Sequence, residues 1–197
     1  MKRLMMERKN YPKKLKELAV LRERISDEEI NSCLMRFKNR FRLAKSFELI
    51  VASELNKKTI YGYSSAMKVA LAYSAFDEIR WAKKRLLKIK GAVHYIENKE
   101  LAAKLRGEKL EPLRDKLLKS TSLKDKDLRK DIEDFYAEKN DDVMCIATIF
   151  RNSFVHGVFT VGGGNLNTKR EANVVFELAE CLLDKTEEML DEILEQY

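Results

Sequence analysis

Long stretches with neither glycine nor proline decide most of what this chain can become. Residues 26–55 and 65–90 are two such stretches, and all 197 residues include only seven Gly and two Pro. Many-stranded folds of this size need frequent tight turns, and tight turns draw heavily on those two residues. Turn material this sparse argues against a sandwich, a barrel or a doubly wound sheet, and predicts an all-α helical bundle. With 45% hydrophobic and 36% charged residues, the chain has enough apolar material for a core beneath a highly charged surface.

No apolar run approaches the roughly 20 residues that a membrane span requires. The first residues, Met1-Lys2-Arg3-Leu4-Met5-Met6-Glu7-Arg8-Lys9, are basic but have no uninterrupted apolar segment of the kind a secretory leader carries. A cytoplasmic protein with no membrane association is the expectation. Cys33, Cys145 and Cys181 are an odd set, widely spaced and without a C-x-x-C pair, which predicts reduced thiols in or near a core.

Apolar periodicity divides the chain. Pro12 suits the first turn of a helix carrying Leu15, Leu18, Ala19, Leu21 and Ile25. Ser26 and Glu29 have the spacing of a capping box, and Ile30, Leu34, Phe37, Phe41, Phe47 and Ile50 extend one face as far as Leu55. The Phe37, Phe41 and Phe47 stripe serves either as core or as a groove for a partner. Thr59-Ile60-Tyr61-Gly62-Tyr63-Ser64 reads as a break, and Ser65 to Lys90 as a third helix with Gly91 just past its end. Asp141 and Asp142 can cap an apolar helix running through Ile146, Phe150 and Phe154 to Gly157; Gly162-Gly163-Gly164 reads as a hinge. Thr168 and Glu171 offer a capping box for a final helix. The organisation expected is a basic N-terminal helical extension over residues 1–60 and a helical bundle over 61–197, with a helical connector at about 92–140.

Charge is uneven along the chain. Residues 1–60 carry 16 basic and 8 acidic side chains, 61–140 carry 19 and 13, and 141–197 carry 4 and 11. The basic two-thirds can attract a phosphate backbone, while the acidic segment either packs against it or repels nucleic acid locally. Lysines interleaved with glutamates also occur on ordinary solvated helix faces.

Unusual residues concentrate in Phe150-Arg151-Asn152-Ser153-Phe154-Val155-His156-Gly157. Asn152 and His156 are four apart and share a helix face, whereas Arg151 lies about 100° round the axis and needs its length to reach the same cleft. Arg151-Asn152-x-x-x-His156 resembles the R-[polar]-x-x-x-H signature of the HEPN superfamily, helical proteins that are frequently metal-independent ribonucleases. The resemblance covers roughly Ser65 to the C-terminus and is specific at the six-residue motif. It implies an up-and-down bundle, RNA as substrate, a homodimer whose two motifs meet in one composite site, and a setting in defence or in a toxin restrained by an antitoxin partner.

Arg151, Asn152 and His156 are therefore the candidate catalytic residues, with no cofactor and no metal expected. RNA can be cut without a metal if a base takes the 2′-hydroxyl proton, an acid protonates the leaving 5′-oxygen and a cation stabilises the phosphorane. Two copies of His156 across a dimer would supply base and acid, Arg151 would hold the phosphate, and Asn152 would orient phosphate or imidazole. Two alternatives stay open: a non-catalytic helical module that binds RNA or protein, and a purely structural role in which these side chains bond backbone carbonyls. His94, the other histidine, has no partner pattern. With two His and no H-E-x-x-H, the residues offer no dedicated transition-metal site.

Overall fold

In the computed structural model, residues 11–89, 95–107, 110, 115, 126–155 and 169–197 are described. Among them are seven helices: α1 (Tyr11–Arg24), α2 (Glu28–Ser46), α3 (Lys57–Leu86), α4 (Lys99–Arg106), α5 (Lys126–Tyr136), α6 (Met144–Val155) and α7 (Lys169–Gln196). The fold is an all-α bundle. An isolated antiparallel bridge pairs Glu97 with Asp142, and no strand occurs among the described residues.

α3 is the central helix and packs on α2, α6 and α7. Its buried positions include Ala66, Val69, Ala72, Ala75, Ile79 and Ala82. Small side chains on several faces let neighbouring helices approach closely. α2 runs antiparallel to α3: Glu29 reaches Arg85 at one end, and the Ile50 amide donates to the Ser64 hydroxyl at the other. α7 runs parallel to α3, because Lys68 pairs with Glu180 and Lys83, further along, with Glu192. The crossover between these parallel helices carries α4, α5 and α6.

Several boundaries differ from those the sequence predicts. Asp27, not Ser26, caps α2; its carboxylate accepts from the Glu29 and Ile30 amides at 2.9 and 3.0 Å. α2 ends at Ser46 although the apolar periodicity continues to Leu55. None of that continuation is fully buried: Phe47 and Ile50 are half-buried, Leu49 and Leu55 are exposed, and Val51 is 96% exposed. α3 begins eight residues before Ser65, at Lys57, capped by Asn56, and runs through Gly62. Gly62 is buried, and the Ser65 hydroxyl donates to its carbonyl at 2.9 Å, so packing outweighs glycine's poor helix propensity. α3 stops at Leu86 rather than near Gly91. Lys88 takes the left-handed conformation (φ 52°) and the Ile89 amide donates back to the Lys84 carbonyl, a Schellman ending that meets the last carbonyls without a glycine.

Leu15, Leu18 and Leu21 of α1, Phe37 and Phe41 of α2, and Val175, Leu182 and Leu190 of α7 belong to one buried cluster with the α3 residues. Within the Phe37, Phe41, Phe47 stripe, the first two are wholly buried and stack at 5.4 Å, while Phe47 is half-buried. A fully buried side chain of this size contributes about 1.5–3 kcal/mol of burial free energy.

The acidic last segment packs against the basic ones. α7 receives a lysine from each of four helices: Lys14 at 2.7 Å from Asp191, Lys45 at 3.6 Å from Glu187, Lys68 at 2.6 Å from Glu180, and Lys104 at 2.9 Å from Glu177. Lys83 adds a fifth pair with Glu192. Lys68 and Lys83 are nearly buried, so their pairing offsets a real desolvation cost. The arginines of α2 take no part in these pairs; Arg36 and Arg40 turn instead to Glu78 of α3.

All three cysteines are free; Cys33 and Cys145 are buried and Cys181 is half-buried. Burial, then a hydrogen bond to the Glu78 carboxylate, pushes the Cys33 thiol up to about 12; burial raises Cys145 and Cys181 as well. The thiolate is the reactive form. At pH 8, Ellman's reagent should label Cys33 and Cys145 only on the timescale of unfolding, and all three thiols at once in guanidinium chloride. Rapid labelling of all three in the native protein would contradict the buried placement.

Candidate functional site

α6 is apolar over most of its circumference, with Met144, Cys145, Ile146, Ala147, Ile149, Phe150 and Ser153 buried. Asp142 begins it as the sequence predicts: its carboxylate accepts from the Met144 amide at 3.0 Å. The same oxygen accepts from the Ile96 amide at 2.8 Å, fixing the chain before α4 against the start of α6. Arg106 strengthens this corner, donating to Asp141 at 2.8 Å and to the Phe135 carbonyl at 2.7 Å.

The face of α6 left partly open carries Thr148, Arg151 and Asn152, with Val155 exposed beyond them. Arg151 and Asn152 point roughly 100° apart along an ideal helix. The arginine's length closes that gap: its guanidinium donates to the Asn152 side-chain oxygen at 2.9 Å. The guanidinium carbon also lies 5.9 Å from the centre of the Tyr73 ring on α3. Tyr73 in turn has its hydroxyl 3.4 Å from that of Thr148, which donates to the Met144 carbonyl at 2.8 Å.

Two of the three sequence-predicted site residues are thus brought together. The third, His156, lies outside the described residues, as do His94, Gly157 and Gly162 to Gly164. Tyr73 is a residue that sequence reasoning missed. Nothing in its neighbourhood on α3 marks it, and only the packing of α6 on α3 places it under the guanidinium.

Arg151 is half-buried, and among the described residues no carboxylate lies within ion-pair distance of it. An amide oxygen and an aromatic face stabilise a cation without neutralising it. An anion entering beside Asn152 and Tyr73 would meet a positive charge that none of the described carboxylates cancels, in partly desolvated surroundings where that charge counts for more.

Asp77, Glu78 and Arg80 lie close together in the sequence of α3. Asp77 and Arg80 do pair on the surface at 2.5 Å, but Glu78 turns the other way, toward α2, and its side chain is only 12% exposed. There it accepts from Arg36 at 2.9 Å, Arg40 at 2.5 Å and the Cys33 thiol at 2.9 Å. Burial alone would raise the Glu78 carboxyl, but the bonds from Arg36 and Cys33 and the Arg40 charge hold it below the usual carboxylate range. One carboxylate fixes two guanidinium groups and leaves the cluster net positive.

A separate cavity of about 750 Å³ opens between α4 and α7, with Asn98, Leu101, Glu177 and Cys181 in its wall; Arg151 and Asn152 are not part of it. Among the described residues no group of three or more His, Cys, Asp or Glu is placed to hold a metal ion. No helix among them is long and apolar enough to cross a membrane. No protein-family model, curated protein or solved structure matches the chain.

Proposed function

We propose that this chain is a metal-independent endoribonuclease of HEPN type, which cleaves RNA through attack of the 2′-hydroxyl and leaves 2′,3′-cyclic phosphate ends. The observation that carries the reading is the Arg151 guanidinium, without a carboxylate partner among the described residues and held beside Asn152 and over Tyr73 on the half-open face of α6. A phosphodiester is an anion whose two free oxygens suit a planar guanidinium, and charge grows on them as the phosphorane forms. Arg151 takes the phosphate and stabilises the transition state. Asn152 orients it, and His156 moves the proton.

One imidazole cannot be both base and acid in the same step, so the proposal includes a homodimer that shares two copies of His156 and Arg151 in one cleft. A toxin or defence role with an antitoxin partner belongs to the same proposal. A second reading, a helical module that binds RNA without cutting it, is favoured by the positive charge left on α2, which lies on a different helix from the Arg151 motif.

Incubating the purified chain with RNA in excess EDTA separates the two readings. Cleavage in EDTA, with cyclic phosphate ends and no cutting of DNA that lacks the 2′-hydroxyl, is the expected result, and it should be lost in His156→Ala. Salt-sensitive RNA binding with no cleavage, unchanged in His156→Ala, would leave the binding module.

A further inference from the structure

Among the described residues, α3 is covered by neighbours on three sides. α7 takes the side of Lys68 and Lys83, α2 the side of Glu78, and α6 the side of Tyr73. Between α2 and α6 a stripe of α3 at i, i+4, i+7 spacing stays open. Ala70, Ser74 and Trp81 are half-buried on its floor, and Asp77 and Lys84 are exposed. One border holds Arg36 and Arg40, whose side chains are 48% and 40% exposed although both are fixed by Glu78. The other border holds Arg151. Further along the stripe, Arg85 lies over the Trp81 ring at 4.9 Å. Helix packing distances of 8–10 Å set the two borders roughly 15–20 Å apart, a gap that two long arginine side chains narrow to the width of one strand.

We propose that this open stripe of α3 is a track for single-stranded RNA, with Arg36 and Arg40 as a phosphate clamp on one border and Arg151 on the other. The inference rests on the ribonuclease reading of the Arg151 site and adds how the strand is held there. Three features favour RNA over a protein partner. The clamp is made of arginines, which fork onto phosphate oxygens, and they are already oriented by a half-hidden carboxylate. The floor is narrow and carries an aromatic ring capped by a cation, the combination on which bases stack. No continuous apolar surface of the kind a protein interface needs lines it, since Ser74, Asp77 and Lys84 interrupt it.

The test is binding of a fluorescent oligouridylate with 2′-O-methyl sugars, which lacks the nucleophile and so reports association without cleavage. Wild type should bind it with strong salt dependence. The double variant Arg36→Gln, Arg40→Gln should bind about tenfold more weakly at low salt, with the salt slope reduced by about 2. Should removal of both guanidinium partners of Glu78 prevent folding, Lys84→Glu decides instead. Lys84 is exposed at the far end of the stripe, and its charge reversal should weaken binding several-fold while leaving the melting temperature unchanged.

Binding by the folded double variant, or by Lys84→Glu, that equals wild type overturns the track. So does poly-glutamate competing as well as the oligonucleotide, which would assign the stripe to an acidic protein. The two readings fail separately. RNA cleavage lost in Arg151→Ala, with binding intact in the double variant, removes the track and keeps the nuclease. Weakened binding in the double variant, with no cleavage by wild type, removes the nuclease and keeps the track.

Discussion

Phe37→Ala should lower the unfolding free energy by about 3–5 kcal/mol, and unfolding should remain a single cooperative transition. The side chain is wholly buried on α2 and stacks on Phe41 at 5.4 Å, in the same cluster as the α3 and α7 core residues. Truncation removes the ring's burial and leaves a cavity that neighbours locked on two other helices cannot fill. A domain of this size has about 5–15 kcal/mol in total, so this one change takes a large share.

The same experiment settles whether α2 is an appendage or a structural member. Trp81, the chain's single tryptophan, reports on α3, whereas far-ultraviolet circular dichroism reports on every helix. Coincident urea transitions from both probes, shifted together in the variant, are the expected result. Loss of helix signal at lower urea with the Trp81 emission unmoved would make residues 1–60 an independently melting extension. A destabilisation below about 1 kcal/mol would deny Phe37 its core role.

Fold class was legible because it depends on what is missing: a chain with so few glycines and prolines can turn only a few times. Boundaries were less legible, because periodicity records which residues can share a face and not whether anything is there to receive it. The apolar series past Ser46 is a true helical pattern that the bundle covers only in part, as the exposure of Leu49, Val51 and Leu55 shows. Gly62 is the reverse case, a locally poor helix residue retained because α3 packs tightly there. Asp77 and Glu78 are adjacent in sequence yet point to different partners, and neither the Arg36 and Arg40 pair nor Tyr73 can be assigned until the registers of α2 and α6 on α3 are known. Arg151 and Asn152 were legible for a different reason: polar residues interrupting an apolar helix at close spacing stand out against their own background.

Arg151→Ala should reduce kcat/KM for RNA cleavage by about a thousandfold, or about 4 kcal/mol of transition-state stabilisation. The same variant should change folding stability by less than about 1 kcal/mol, the scale of an exposed cation–π contact. These two magnitudes diverge because the folded protein asks so little of this side chain. Among the described residues its contacts are one amide oxygen at 2.9 Å and a ring at 5.9 Å, with no carboxylate left stranded when the cation goes. A structural arginine behaves oppositely: Arg106 bonds Asp141 and two carbonyls, so its loss would be paid in stability. Arg151→Lys restores the charge but not the fork and should recover only a small part of the rate, whereas a purely electrostatic role would be rescued almost completely. Asn152→Ala, which removes the group orienting the guanidinium, should lose about tenfold to a hundredfold, mostly in kcat. Thermal melting and initial cleavage rates on the same samples make the comparison. An Arg151→Ala protein that cuts RNA within tenfold of wild type ends the catalytic assignment, and one that melts far lower with proportionate loss of rate returns the residue to the scaffold.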